Sequence, residues 1–135
     1  MSIIEAQTAV RRRLAALTPS LPTAFEGIPF TPPTGMYQRL QFVINSPTDP
    51  TFGTYFYREN IQVQIFVADK LDVGTTGAIT RAQVLRDWFC KGLTLEENGV
   101  RMYVLSTPQI AGASVAGDRV IVPVLISLTV EVYQD

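Results

Sequence analysis

Hydrophobic and polar positions along this chain alternate between two periods, and the switches between them mark out its elements. Ile3, Ala6, Val10, Leu14 and Leu17 recur at three- and four-residue steps, which predicts an amphipathic helix beginning at Ile3. Ser2 and Glu5 have the spacing of a capping box at its start, and Thr18-Pro19 ends it. Pro22, Gly27 and Pro29 interrupt the next stretch and leave room only for a short edge strand at Thr23–Glu26. Thr31–Gly35 reads as a loop or polyproline-like arm. The period then becomes two. Leu40, Phe42 and Ile44 oppose Arg39, Gln41 and Val43 within Tyr37–Ile44, and Ile61, Val63, Ile65 and Val67 oppose Gln62 and Gln64 within Tyr55–Ala68. Asn45–Thr54, between these two strands, is dense in turn residues.

Gly74–Gly77 leads into a second helix. Thr76 is its expected N-cap, Ile79, Ala82, Leu85 and either Trp88 or Phe89 its buried stripe, and Lys91-Gly92 its close. Leu93–Leu95 and Val100–Ser106 flank Glu96-Glu97-Asn98-Gly99 and predict a hairpin, because Asn-Gly takes the positive φ angles of a tight turn. Gln109–Gly117 reads as a small-residue loop. Asp118–Tyr133 is the longest strand candidate, with Val120, Val122, Val124, Ile126, Leu128, Val130 and Val132 on one face. At about 3.3 Å per residue it would reach roughly 50 Å, so it is expected to bend at Pro123 or to carry its end out to a partner. The order α-β-β-β-α-β-β-β predicts an α+β fold: one domain over residues 1–135, a mainly antiparallel or mixed sheet, and two helices on one face. Nothing in the chain is left to cover the other face, which carries Gln62, Gln64, Phe66, Thr129, Glu131 and Tyr133.

Composition narrows the chemistry. With 47% hydrophobic and 17% charged residues the chain is globular, and its net charge of −1 gives no global attraction to nucleic acid. There is no histidine, so no Ser-His or Cys-His nucleophile can form, and no acidic spacing resembles a calcium loop. Glu96-Glu97 reads as a solvated hairpin tip. Gly74–Gly77 lacks the ending of a phosphate-binding loop and reads as a helix-capping loop. Cys90 excludes an intrachain disulfide and reads as a small buried core residue, with a reactive thiol as the alternative. No signal peptide or membrane-spanning segment is expected, which fits a protein made in a cytoplasm. No catalytic residue, metal site or cofactor is predicted.

Two features remain as candidate contact surfaces. Arg11, Arg12 and Arg13 are either the solvated face of the first helix or a basic stripe facing DNA or an acidic neighbour. Phe52, Tyr55, Phe56 and Tyr57, with Arg58 beside them, are either a satellite cluster folded onto the domain or an intersubunit contact. These are the residue types enriched at interface hot spots. The far end of the last strand, near Val130–Asp135 with Val132 and Tyr133, is the second candidate patch.

Several features taken in order resemble the tail terminator proteins of long-tailed bacteriophages. They are the helix Ile4–Leu17 followed by Thr18-Pro19, Phe25-Glu26 with Pro29-Phe30-Thr31-Pro32-Pro33, and Tyr37-x-Arg39 opening a strand. Asp49-Pro50-Thr51-Phe52-Gly53 and Tyr57-Arg58-Glu59 then lead into Ile61–Val67, and Asp118-Arg119-Val120-x-Val122-Pro123-Val124 closes the series. The resemblance implies a structural virion protein, not an enzyme. Such a protein forms a ring, typically a hexamer, that caps the tail tube, ends its polymerisation and forms the tail side of the head–tail joint. The implied partners are further copies of the chain, the major tail-tube protein and a head–tail connector protein, with passive contact to DNA in the lumen and none to membrane. The implied place is the head-proximal end of the tail, after assembly in the host cytoplasm. A head–tail connector or head-completion protein is the alternative reading, and a small-ligand-binding domain the more remote one.

Overall fold

The computed structural model describes residues 2–53 and 55–133, with the side chain of residue 72 left aside. The fold is α+β, and its order of helices and strands is the one expected from the sequence. Helix α1 spans Ile3–Ala15 and α2 spans Thr76–Trp88. The strands are β1 Thr23–Ala24, β2 Tyr37–Ile44, β3 Phe56–Lys70, β4 Thr94–Glu97, β5 Val100–Val104, β6 Gln109–Ile110, β7 Ser114–Ala116 and β8 Arg119–Tyr133.

The sheet is organised around β3 and β8, which pair antiparallel over all 15 residues of each, from Phe56↔Tyr133 to Lys70↔Arg119. The order is β1-β2-β3-β8-β5-β4, with β6 and β7 also on β8; only the β1–β2 pair is parallel. Successive short strands β7, β6 and β5 therefore share the second edge of β8. Pro123 sits mid-strand without breaking the ladder. Its carbonyl accepts from the Ala111 amide, so the side on which its missing N–H would point is the β6 side, and no β3 carbonyl is left without a donor.

Period-two alternation places Ile61, Val63, Ile65 and Val67 of β3 beside Val122, Val124, Ile126 and Leu128 of β8 on one face, all buried. Both helices pack there, through Ala6, Val10 and Leu14 of α1 and Ala78, Ala82 and Leu85 of α2. The small alanines let the helix backbones approach the broad β-branched surface closely. Gln62, Gln64 and Phe66 share the other face with Ser127, Leu125 and Pro123, and Gln64 Nε2 donates to Gln62 Oε1 at 2.7 Å.

The structure corrects several local expectations. Ser2 caps α1 by position only, since its side chain makes no cap bond and the box with Glu5 does not form. Thr75, not Thr76, is the N-cap of α2. The buried stripe of α2 keeps Ala82 and Leu85 and resolves to Phe89, at 1% exposure, rather than Trp88, but Ala78 replaces Ile79, which is 37% exposed. Cys90 follows Phe89 out of the helix and is exposed, not buried. Gln109–Gly117 is not all loop, because β6 and β7 both add to β8. The Asn98-Gly99 turn does form, with φ of 49° and 79°. Measured by urea denaturation, Phe89→Ala should cost about 3–5 kcal/mol, against less than about 1 kcal/mol for Ile79→Ala. Equal losses would restore the stripe expected from sequence.

Candidate assembly interface

The second arm of the chain, between β2 and β3, begins as a continuation of their pairing. The Asn45 amide donates to Asn60 O at 2.8 Å, Thr48 and Arg58 exchange two backbone bonds, and Asn60 Nδ2 reaches Ser46 O and Thr48 Oγ1. The loop beyond carries Phe52 fully exposed and Tyr55 more than half exposed. A Cβ at Gly53 would overlap the Tyr55 ring, so glycine is what lets that ring lie over the backbone. Thr54 lies outside the described residues.

Phe56 and Tyr57 open β3 and pair with Tyr133 and Val132. Among the described residues no other strand flanks these two rungs: β2 pairs no further than Ile61, and β5 no further than Glu131. The ladder thus projects as a two-stranded ribbon. On one side of it Phe56 meets Tyr133 at 4.8 Å between ring centroids, and the Arg58 guanidinium lies 5.2 Å from the Phe56 ring. The Tyr133 hydroxyl donates to Glu131 at 2.8 Å, and that bond to a carboxylate raises the pKa of the phenol. Tyr57 and Val132 lie on the opposite side, where Val132 packs against the edge of the core. The candidate residues Phe52, Tyr55, Phe56, Tyr57, Arg58, Val132 and Tyr133 are therefore brought to one end of the molecule. Gln134 and Asp135, the end of the expected contact tail, lie outside the described residues.

The first arm is not free. Arg119 donates to the carbonyls of Pro33 and Gly35 and lies 5.0 Å from the Tyr37 ring, which in turn meets Phe30 at 5.4 Å. Glu26, after β1, bends back and accepts from the Phe42 amide on the outer edge of β2. A carboxylate there blunts an otherwise open strand edge.

The three arginines diverge, as consecutive helix positions about 100° apart must. Arg11 lines a shallow groove with Glu26 and Phe42. Arg12 forks onto the Glu97 carboxylate of β4. Arg13 lies 3.8 Å over the Trp88 ring and donates to Trp88 O at 2.8 Å, while Trp88 Nε1 donates back to Arg13 O at 2.7 Å. That reciprocal clasp ties the end of α1 to the end of α2.

Arg81 is the charge that sequence reasoning missed. It is 6% exposed in α2, and burial lowers its pKa. Nη1 donates to Pro19 O at 2.6 Å, but Nε and Nη2 are buried without a partner among the described residues. Only its helix position next to Ala82 could have hinted at this burial. No group of three His, Cys, Asp or Glu side chains placed to hold a metal occurs among the described residues.

Two predictions separate these arginines in chemical denaturation. Arg13→Gln should cost about 1–2 kcal/mol, since it removes a cation–π contact and a partly buried hydrogen bond. Arg11→Gln should stay within about 0.5 kcal/mol. Arg81→Met should raise stability by about 1 kcal/mol or more, because it removes an uncompensated buried charge at little change in volume. A loss would mean that the bond to Pro19 outweighs the desolvation cost.

Comparison with known proteins agrees with the fold. A solved structure known only by a sequence identifier matches with a TM-score of 0.76 and 25% identity, over 100% of this chain and 99% of that one. No curated protein matches the chain significantly. The profile of a family described as phage tail terminator protein matches residues 5–128, which include most of α1, all of α2 and most of the β3–β8 ladder. The chain belongs to the phage tail terminator family.

Proposed function

We propose that this protein caps the phage tail tube as a ring of its own copies, ends tube polymerisation and forms the tail side of the head–tail joint. The observation that carries the reading is the match of the terminator family over nearly the whole chain. Membership makes the protein a structural component of the bacteriophage tail that works with other phage proteins. Three features of the fold support the finer role. The ribbon end of the β3–β8 ladder gathers exposed aromatics, as a protein–protein contact requires. Gln62, Gln64 and Phe66, on the sheet face opposite the helices, stay part-exposed, although Tyr37, Ala68 and Thr129 on the same face are buried. Arg119 and Glu26 hold down the first arm and the β2 edge, which keeps the free subunit from pairing at random. In this reading the protein has no catalytic role, its contacts are with itself, the tail-tube protein and the connector, and it sits at the head-proximal end of the tail.

Size-exclusion chromatography with light scattering, alone and with tail-tube protein, tests the reading. A closed oligomer bound to tube ends in negative-stain images is expected. Binding to portal rings instead of tube ends would make it a connector, and a strict monomer that never binds tubes would overturn both. Phe52→Ala and Tyr57→Ala should impair assembly with less than about 1 kcal/mol lost in folding stability. A parallel loss of both would assign these rings to the core.

A further inference from the structure

The two ends of the β3–β8 ladder carry unlike surfaces. At the ribbon end, Phe52 and Tyr55 stand exposed on the loop before Phe56. At the other end, beyond Lys70↔Arg119, an open cleft of about 610 Å³ is walled by Pro32, Pro33, Leu71 and the buried Tyr37, with Lys70, Asp118 and Arg119 at its rim. This cleft is built before anything enters it. Arg119 fastens the proline wall through Pro33 and Gly35, and Tyr37 is fixed between Arg119 and Phe30. Lys70 is exposed in the same cleft as Asp118, and Leu71 and Val73 beside it are exposed.

We propose that the aromatic loop of one copy docks in the proline-walled cleft of the next, with Phe52 against Pro32, Pro33 and Leu71 and the Lys70 ammonium against its ring. Flat proline faces suit an aromatic ring, and the exposed Lys70 cation at the rim adds a cation–π contact. The loop cannot fill its own cleft. Fourteen strand steps at about 3.3 Å place the two roughly 45 Å apart along a continuous ladder. A second copy carries the matching partner for each. Unlike patches at opposite ends of one rigid element make a heterologous contact, which repeats head to tail and closes into a ring when the rotation allows. Identical patches meeting each other would stop at a dimer. This contact rests on the ring reading and says which surface meets which.

The test uses the full chain with Cys90→Ser, so that the exposed native thiol is silent. Thr51→Cys and Thr34→Cys, both at exposed positions, are made separately, mixed and treated with a short bismaleimide, with and without tail-tube protein. Cross-linked dimer is expected from the mixture and not from either variant alone. Adding Phe52→Ala should abolish it and weaken self-association by roughly tenfold or more. Oligomers by light scattering without the mixed cross-link, or a cross-link from Thr51→Cys alone, would overturn the contact and leave the ring reading intact. Absence of any self-association, even with tube present, would overturn the ring reading and this contact with it.

Discussion

Every other element of this protein is positioned by the antiparallel ladder between β3 and β8. Its register is set by side-chain alternation. A slip of one residue would turn Val63, Ile65 and Val67 to the opposite face and bring Gln62 and Gln64 beneath the helices, a loss no loop could offset. With that register fixed, β2 has one edge to join and β7, β6 and β5 have the other. The two helices cover the apolar face that results.

Length creates the surfaces available for assembly. A 13-residue helix is about 20 Å long, whereas the ladder runs roughly 45 Å. Neither helix can shield the ladder from end to end, so its ends project. At one end the strands outrun β2 and β5 and leave a ribbon of aromatics; at the other, Arg119 and Tyr37 draw the proline arm over the sheet. In the proposed role, a subunit that stays unpaired until it meets its site needs contact surfaces that are not open strand edges. Rings on a loop and a braced cleft meet that need, and the Glu26 carboxylate on β2 serves the same end.

The fold was legible where periodicity ran long. Eight or more residues of alternation in β2, β3 and β8 left little freedom, and the Asn98-Gly99 turn announced its hairpin by chemistry. Short features escaped. Strands of two or three residues such as β6 and β7 carry no measurable period and exist only because β8 offers a free edge. The α2 stripe was misplaced because Ala78 and Ile79 are both apolar, and only packing against the sheet decides that the smaller one faces it. For the candidate interface, the aromatic cluster was visible as composition, but the clasp of Arg13 on Trp88 and the hold of Arg119 on Pro33 join residues far apart in the chain.

By itself the sequence determined the order of the helices and longer strands, the face each long strand buries and the lack of histidine chemistry. These follow from local period and residue type, which survive any arrangement in space. Tertiary structure decided which aromatics remain outside, which arm is tied down and where the three arginines point. Those outcomes depend on how far one element extends past its neighbours, a length comparison that no single stretch of sequence contains.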